Sequence, residues 1–249
     1  MEQALDNEFN EHVIENLAAT RQRIYRACEA AGRDPNEVRL MLVTKTVTVD
    51  IIRRVMDEGE LLIGENLSDE LTRKHDQLLS SHRPEIHFIG SLHNDSLGTI
   101  IQNSNCIQTV DHFILANELN QKLIEQGKEM DVLIQVNTSR RDSPYGISPA
   151  HAIGLVLKTS RLSNLHIKGL MTLGIFETTQ EIARDCFRLL KNLSDEIVLL
   201  DIPGVSMNIL SMGMSDHLEI AIEEGSTLVR VGTAIFGERE TPDSFYWKI

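Results

Sequence analysis

Three widely separated segments of this chain carry side chains whose types and spacing could do chemistry. Lys45 closes the apolar run of residues 38–45, residues 211–216 read Ser-Met-Gly-Met-Ser-Asp, and residues 230–233 read Arg-Val-Gly-Thr. A lysine that burial desolvates at a strand end has a lowered pKa, and its neutral amine can attack a carbonyl group. Glycines and hydroxyls where a helix begins can bind a phosphate through backbone N–H groups. Together the three segments could hold an aldehyde cofactor that carries a phosphate.

Each of these segments also has an ordinary structural explanation. Lys45 could leave its strand and extend into solvent, and Ser215 or Asp216 could cap the following helix without any ligand. Arg230 lies on the same strand face as Gly232. An arginine that faces the interior needs a partner, which could be a carboxylate in a buried ion pair or an acceptor atom of a ligand. The three segments taken singly leave these alternatives open.

Short apolar runs alternate with segments of helical periodicity along the chain. We predict eight strands, at residues 38–44, 61–64, 85–89, 106–110, 131–137, 165–171, about 205–211 and 227–232. Residues 197–202 compete with 205–211 for the seventh strand. We predict helices at residues 9–31, 48–58, 66–80, 112–127, 148–159, 179–193 and 216–224. Alternating strands and helices imply parallel pairing, and eight strands close an α/β barrel, with an open doubly wound sheet as the alternative.

A barrel of this kind brings the ends of its strands together. Active sites of (β/α)8 barrels lie at the C-terminal ends of the strands, so residues that follow the apolar runs are the candidates. Alternation along the first strand places Met41, Val43 and Lys45 on one face. If that face is the interior, the amine of Lys45 emerges at the top of the core.

The composition indicates a single globular domain over residues 1–249, with 41% hydrophobic residues to form its core. A formal net charge of −13 argues against a nucleic-acid partner, because phosphate backbones require clustered lysine and arginine. No apolar run reaches the ~18 residues that span a membrane, so we expect no membrane partner. Three widely spaced cysteines and an acidic N-terminus favour reduced thiols and a cytoplasmic location.

A metal site is not indicated. His87, His93 and Asp95 have a spacing that matches no common ligand pattern, and nothing fixes a third ligand. Glu65 and Glu85 could be paired carboxylates, but nothing in the sequence places them together. We therefore predict a site without a metal.

Six motifs, in their order and spacing, resemble the pyridoxal-phosphate homeostasis proteins, which are single-domain relatives of the N-terminal barrel of alanine racemase. The motifs are Val-Thr-Lys-Thr (43–46), Ile-Gly-Glu-Asn (63–66), His-Phe-Ile-Gly-Ser-Leu (87–92), Gly-Leu-Met-Thr (169–172), Leu-Ser-Met-Gly-Met-Ser-Asp (210–216) and Glu-Gly-Ser-Thr-Leu-Val-Arg-Val-Gly-Thr-Ala-Ile-Phe-Gly (224–237). The resemblance covers about residues 9–239. It implies a single (β/α)8 TIM barrel of the alanine racemase N-terminal type with an extra N-terminal helix.

The resemblance also implies a cofactor and the residues that hold it. Lys45 would hold pyridoxal 5′-phosphate (PLP) as an internal aldimine, and Arg230 would face the pyridine nitrogen. The remaining contacts would come from residues at the phosphate (Ser211, Gly213, Gly232, Thr233) and residues that line the cofactor (Asn66, His87, Met171). A fixed cation beside the ring nitrogen disfavours its protonation and makes the ring a poorer electron sink. The implied function is PLP binding for intracellular PLP homeostasis, with little or no turnover.

Alanine racemase takes a second acid/base, a tyrosine, from a C-terminal β-domain. This chain ends about ten residues after its last motif, so we expect no such domain and a monomeric carrier or regulator of PLP. Other B6 vitamers are further expected ligands. The alternative is a specialised PLP-dependent enzyme on amino acids, a racemase or eliminase, that uses Tyr145 or His87 as its acid/base.

Two segments depart from the family pattern. Residues 93–96 read His-Asn-Asp-Ser, where the family usually has Gln-x-Asn-Lys. Pro144 and Tyr145 precede Gly146, where the family usually has a lysine two residues before the glycine. Both changes remove a cation near the expected mouth of the site. This chain therefore lacks two lysines on which PLP transfer or a second binding site could depend.

Overall fold

Eight parallel strands close into a barrel in this computed structural model, which describes residues 2–139, 141–143, 145–175 and 178–238. The strands are β1 (Arg39–Val43), β2 (Leu62–Glu65), β3 (Glu85–Phe88), β4 (Cys106–Val110), β5 (Met130–Gln135), β6 (Leu165–Met171), β7 (Ile209–Ser211) and β8 (Leu228–Val231). They follow one another in chain order around the barrel, and β8 pairs with β1. The predicted (β/α)8 barrel is confirmed, and the open sheet is not formed.

Helices cover the outside of the barrel. They are α1 (Glu2–Ala30), α2 (Val49–Asp57), α3 (Ser68–Leu79), α4 (Leu97–Asn103), α5 (Phe113–Gln126), α6 (Pro149–Thr159), α7 (Gln180–Leu199), α8 (Leu218–Glu223) and α9 (Thr233–Phe236). The predicted extra N-terminal helix is present as α1. No helix within the described ranges combines the length and the apolar character that a membrane span needs.

The helical layer differs from the sequence pattern in several places. The pattern misses α4, because its seven residues are too few to establish a helical period. The apolar run at 197–202 is not a strand, since residues up to Leu199 continue α7. Ile197 is buried there, whereas Val198 and Leu199 are exposed, as expected for an amphipathic helix end.

The alternation along β1 separates two layers of the core. Met41 and Val43 pack in an interior cluster with apolar side chains of β2 and β8. Leu40 and Leu42 belong to the large cluster between the barrel and its helices. Lys45 continues the interior face at the C-terminal end of β1 and is buried. This confirms the predicted alternation and favours the interior position of Lys45 over a lysine that extends into solvent.

Helix α1 closes the barrel where its last elements meet its first. Arg23 donates to Glu219 Oε1 at 2.6 Å and to the carbonyl oxygen of Ser215 at 2.7 Å. Arg33, three residues after α1, donates to carbonyl oxygens at the end of α8 and after it, at 2.7 and 2.8 Å. The N-terminal helix thereby anchors the loop that follows β7.

Candidate functional site

Arg230 is a buried cation near the C-terminal end of β8. Its guanidinium donates to Ser211 Oγ and to the carbonyl oxygen of Thr172, both at 2.7 Å. Burial alone lowers the pKa of the guanidinium to about 10, and no carboxylate within the described ranges pairs with it. Of the two alternatives for this arginine, a buried ion pair is therefore not what the structure shows. Since an uncompensated buried charge is costly, the arrangement favours a ligand that supplies an acceptor.

A chain of hydrogen bonds runs from Arg230 through the barrel interior. Ser211 Oγ donates to Gln108 Oε1 at 2.6 Å, and Gln108 Nε2 lies 2.7 Å from His87 Nδ1. His87 Nε2 lies 2.8 Å from Glu85 Oε1. Because a guanidinium and an amide N–H₂ group can only donate, every bond in the chain points away from Arg230. In this arrangement Nδ1 of His87 accepts from Gln108, and Nε2 donates to Glu85.

This chain of hydrogen bonds explains the position of two predicted residues and reveals two others. Ser211 and His87 face the interior, where both use their side-chain atoms in hydrogen bonds inside the barrel. Gln108 and Glu85 were not among the predicted cofactor-binding residues. A glutamine in the otherwise apolar run Cys-Ile-Gln-Thr-Val is the sequence signal that could have identified Gln108. Ser211 thus orients Arg230 with its hydroxyl group.

Glu85 terminates the chain at the N-terminal end of the barrel. Its hydrogen bond with His87 and its ion pair with Arg39, at 2.5 Å, lower the pKa of this half-exposed carboxyl group from 4.5 to about 2. The paired carboxylates considered for Glu65 and Glu85 do not form, because Glu65 bonds to Lys74 on the outer face of β2. The glycosidase-like arrangement is therefore absent.

We expect this carboxyl group to contribute to acid sensitivity. Because the folded-state pKa of Glu85 is lowered, its stabilising effect is complete above pH 4.5 and is lost as the pH falls towards about 2. Glu85→Gln, which can still accept from His87, should lose less unfolding free energy than the wild type between pH 6 and pH 3. Urea unfolding at both pH values measures this difference. Equal losses in the two proteins would contradict the assigned role.

Asn66 and Met171 lie at different depths of the same interior. Asn66 follows β2 and is buried, and its side-chain oxygen Oδ1 has no hydrogen-bond partner. Met171 is fully buried at the end of β6, where it packs with Cys106 and Leu133. Asn66 therefore offers a polar atom to a ligand, whereas Met171 is part of an apolar surface inside the barrel.

Gly213 permits a tight turn in the loop after β7. Its φ of +92° lies in the left-handed region, and a Cβ atom there would lie 2.4 Å from Cβ of Ala221. The carbonyl oxygen of Gly213 accepts from the backbone N–H of Arg230 at 3.0 Å. No larger residue fits this position without displacing α8. The hydrogen bond from Arg230 to Gly213 thus links the loop after β7 to β8.

The loop after β7 also meets the beginning of α9. Gly232 precedes this short helix and Thr233 is its first residue. Ser215 Oγ lies 3.4 Å from Thr233 Oγ1 and accepts from the backbone N–H of Ala234 at 3.3 Å. The structure therefore brings Gly232 and Thr233 together with the loop of Gly213. Ser215, which the sequence also suggested as a helix cap, is part of the same cluster.

The two segments that depart from the family pattern have ordinary local structure. His93, whose carbonyl oxygen accepts from Ser96 Oγ at 2.9 Å, begins an exposed turn before α4. The loop after β5 is closed at its base, where the backbone N–H of Asn137 donates to Ile147 at 2.8 Å. Tyr145 in this loop is half-buried, and Pro144 lies outside the described residues. Among the described residues, no three His, Cys, Asp or Glu side chains form a group that could hold a metal ion.

Comparison with known proteins identifies the family. The family model of the alanine racemase N-terminal domain matches residues 16–240. A pyridoxal phosphate homeostasis protein of Aquifex aeolicus is 36% identical over 229 residues, which are 92% of this chain and 99% of that protein. One of Escherichia coli is 34% identical over 230 residues, 92% of this chain and 97% of that protein. The chain belongs to the pyridoxal phosphate homeostasis protein family.

Solved structures agree with this family membership. PipY of Synechococcus elongatus, solved with PLP bound, has a TM-score of 0.78 and 26% identity, and the match covers 90% of this chain and 100% of PipY. An alanine racemase of Clostridium difficile has a TM-score of 0.71 at 14% identity, over 94% of this chain and 58% of the racemase. The racemase likeness shows the barrel fold. The resemblance to the pyridoxal phosphate homeostasis family that the six motifs indicated is confirmed.

Proposed function

We propose that this chain binds PLP as a homeostasis protein, through a Schiff base at Lys45 and with little or no turnover. The observation that carries the proposal is Arg230, a buried guanidinium at the C-terminal end of the barrel with no ion pair in the described ranges. A ring nitrogen with a lone pair is an acceptor that such a donor can bind. Relatives named for PLP homeostasis, and PipY with PLP bound, support the choice of ligand.

The residues at the barrel mouth fit PLP. The unpartnered Oδ1 of Asn66 can accept a hydrogen bond from a ligand. The left-handed turn at Gly213 lets the backbone approach a phosphate closely. Gly232 and Thr233 would add a backbone N–H group and a hydroxyl group. His87 and Met171 would form the floor below the ring, and Ser211 would hold Arg230 in place.

The covalent step needs only the amine of Lys45 and the cofactor aldehyde. Lys45 Nζ would hold the cofactor through a C=N bond to the aldehyde carbon, and the aldehyde oxygen would leave as water with the two hydrogens of the neutral amine. PLP supplies an electron sink to amino-acid chemistry when its ring nitrogen is protonated. Arg230 can only donate, so beside the ring it would disfavour protonation of that nitrogen. The same residue that binds the ring therefore disfavours turnover.

The proposal is tested by spectra of the purified protein with PLP and a panel of L-amino acids, followed by chiral analysis. We expect an absorbance band that borohydride abolishes, and product at far below ordinary enzyme rates. Turnover of ~1 s⁻¹ or more would instead support the racemase or eliminase alternative. The half-buried Tyr145 favours that alternative as its acid/base, because both ring nitrogens of His87 bond inside the barrel.

Replacing Arg230 should separate binding from stability. Arg230→Met removes the donor to the ring nitrogen, and we expect PLP affinity to fall about 10- to 30-fold, the worth of one charge-assisted hydrogen bond. The unfolding free energy without PLP should change by less than about 1 kcal/mol, because the loss of two hydrogen bonds is offset by removal of an uncompensated buried charge. Fluorescence titration and urea unfolding measure the two quantities.

The control for this prediction is Arg188→Met, which removes an exposed arginine that pairs with Glu224 on the helical layer. Its PLP affinity should equal that of the wild type. A large loss of stability in Arg230→Met together with unchanged affinity would show that Arg230 is structural, and would contradict its proposed role.

We also propose that residues 1–249 act as one domain, as a cytoplasmic monomer, and that the site binds further B6 vitamers. The bond of Arg23 in α1 to Glu219 in α8 supports a single unit. Pyridoxamine phosphate shares the ring nitrogen and phosphate but lacks the aldehyde, so it should bind without a covalent link. A single cooperative unfolding transition tests the proposal of one domain. A monomer mass in sedimentation equilibrium tests the proposed monomer.

A further inference from the structure

Three charged side chains are buried together between β2 and α3. Lys74 Nζ lies 2.8 Å from Glu65 Oε1 and 2.8 Å from Glu70 Oε1. Glu65 is fully buried, and Glu70 and Lys74 are each 6% exposed. We call Glu65, Glu70 and Lys74 the α3 charge cluster. Buried ion pairs are expensive to desolvate, and apolar replacements are often as stable, so stability alone is a weak explanation for this cluster.

The α3 charge cluster holds the backbone on both sides of Lys45. Lys74 Nζ donates to the carbonyl oxygen of Thr44 at 2.5 Å. Glu70 Oε1 accepts from the backbone N–H of Thr46 at 2.6 Å. The peptide groups immediately before and after Lys45 are thus bound by two charged side chains that are themselves bonded to each other.

The turn that these contacts hold is strained. Thr46 has a φ of +66°, in the left-handed region that β-branched residues rarely adopt. Its side chain is exposed, so packing does not enforce this conformation. Its hydroxyl donates to the carbonyl oxygen of Lys45 at 2.6 Å, and Glu70 binds its N–H group. A strained backbone conformation next to a reactive side chain persists only where the surrounding contacts hold it in place.

We propose that Glu70 and Lys74 are positioning residues that hold the strained turn at Thr46, so that the amine of Lys45 is presented to the aldehyde of PLP. The inference rests on the proposed Schiff base at Lys45. It assigns the α3 charge cluster a role in cofactor attachment rather than in stability. Burial raises the pKa of Glu65, whose Oε2 has no hydrogen-bond partner. Glu70 is the member of the cluster whose carboxyl group accepts from the backbone N–H of Thr46.

The test compares Schiff-base formation in variants of Glu70 and Thr46. Glu70→Met removes the acceptor for the N–H of Thr46, and we expect the equilibrium constant for Schiff-base formation with PLP to fall about ten-fold, as the strained turn relaxes. Glu70→Gln keeps an oxygen acceptor and should lose only about three-fold. Absorbance titration with PLP measures these constants, and borohydride trapping verifies the covalent adduct.

A compensating substitution distinguishes positioning from a merely structural role. Glycine adopts a φ of +66° without strain. In a protein that already carries Thr46→Gly, the further change Glu70→Met should therefore lower the equilibrium constant for Schiff-base formation by no more than about two-fold. Glu125→Met removes an exposed glutamate that pairs with Lys122 on α5, and should leave the constant unchanged. If Glu70→Met does not fold, Glu70→Gln replaces it in the same comparison. Glu70→Gln should lower the equilibrium constant about three-fold in the wild-type background, and this loss should disappear in the Thr46→Gly background.

Two results overturn the inference. One is a Glu70→Met protein that melts at a lower temperature but attaches PLP like the wild type. The other is a double variant whose constant stays as low as that of Glu70→Met. Failure of the proposed function differs from these two results, because the wild-type protein itself would then form no adduct that borohydride can trap. In that case the inference about Glu70 and Lys74 would also fail.

Discussion

Lys45→Ala should lower the affinity for PLP by at least about 100-fold, equivalent to about 3 kcal/mol, and remove the Schiff-base band. The amine is the only group in the proposed site that bonds covalently to the cofactor, and alanine cannot form a C=N bond. The contacts of Arg230 and of the loop around Gly213 remain, so weak non-covalent binding should persist. Equilibrium dialysis and absorbance spectra measure the two effects.

Two control variants separate the covalent bond from the charge of the lysine. Lys45→Arg keeps a cation at the strand end but cannot form a Schiff base, so its spectrum should match that of Lys45→Ala. Lys122→Ala removes an exposed lysine of α5, and both band and affinity should be unchanged. A Lys45→Ala protein that retains a borohydride-sensitive band would mean that another amine holds the cofactor.

Gly90→Ala should destabilise the protein by about 3 kcal/mol and impair PLP binding. A Cβ atom at Gly90 would lie 1.9 Å from the carbonyl oxygen of Asn66, which is backbone and cannot move alone. The strand end would have to shift, and Asn66 with it. Urea unfolding measures the loss of stability, and PLP titration of the folded fraction measures the loss of affinity.

The matched control is the same substitution at an open position. A Cβ atom at Gly154, inside α6, would have no neighbour within 4 Å. Gly154→Ala should therefore stabilise the protein by about 0.5–1 kcal/mol, because alanine is the better helix former, with no change in PLP affinity. Similar stability of both alanine variants would contradict the close approach of Gly90 to Asn66.

The sequence predicts the fold and the ends of the strands because both follow from local periodicity. Met41 and Val43 alternate into the interior as expected, which carries Lys45 to the barrel mouth. The charged side chain of Arg230 in an apolar strand was sufficient to mark it as a candidate. The sequence pattern does not predict the short helix α4, because seven residues are too few to establish a helical period.

The contacts between distant side chains could not be predicted from the pattern. The role of Ser211 at the phosphate stays a prediction, and the sequence pattern does not show that its hydroxyl lies between Arg230 and Gln108, a residue 103 positions away in the chain. Likewise, nothing local shows that Lys74 reaches the carbonyl oxygen of Thr44. Such contacts depend on the register of neighbouring strands and on the rotation of each helix, which only the folded barrel sets.

The most direct test of the proposed chemistry is the location of the reduced cofactor. The protein is loaded with PLP, treated with borohydride to convert the C=N bond to a stable secondary amine, digested, and analysed by mass spectrometry. We expect the phosphopyridoxyl group on one peptide, with the modification at Lys45. Modification spread over exposed lysines such as Lys122, with Lys45 unmodified, would contradict the Schiff base on which the proposed function depends.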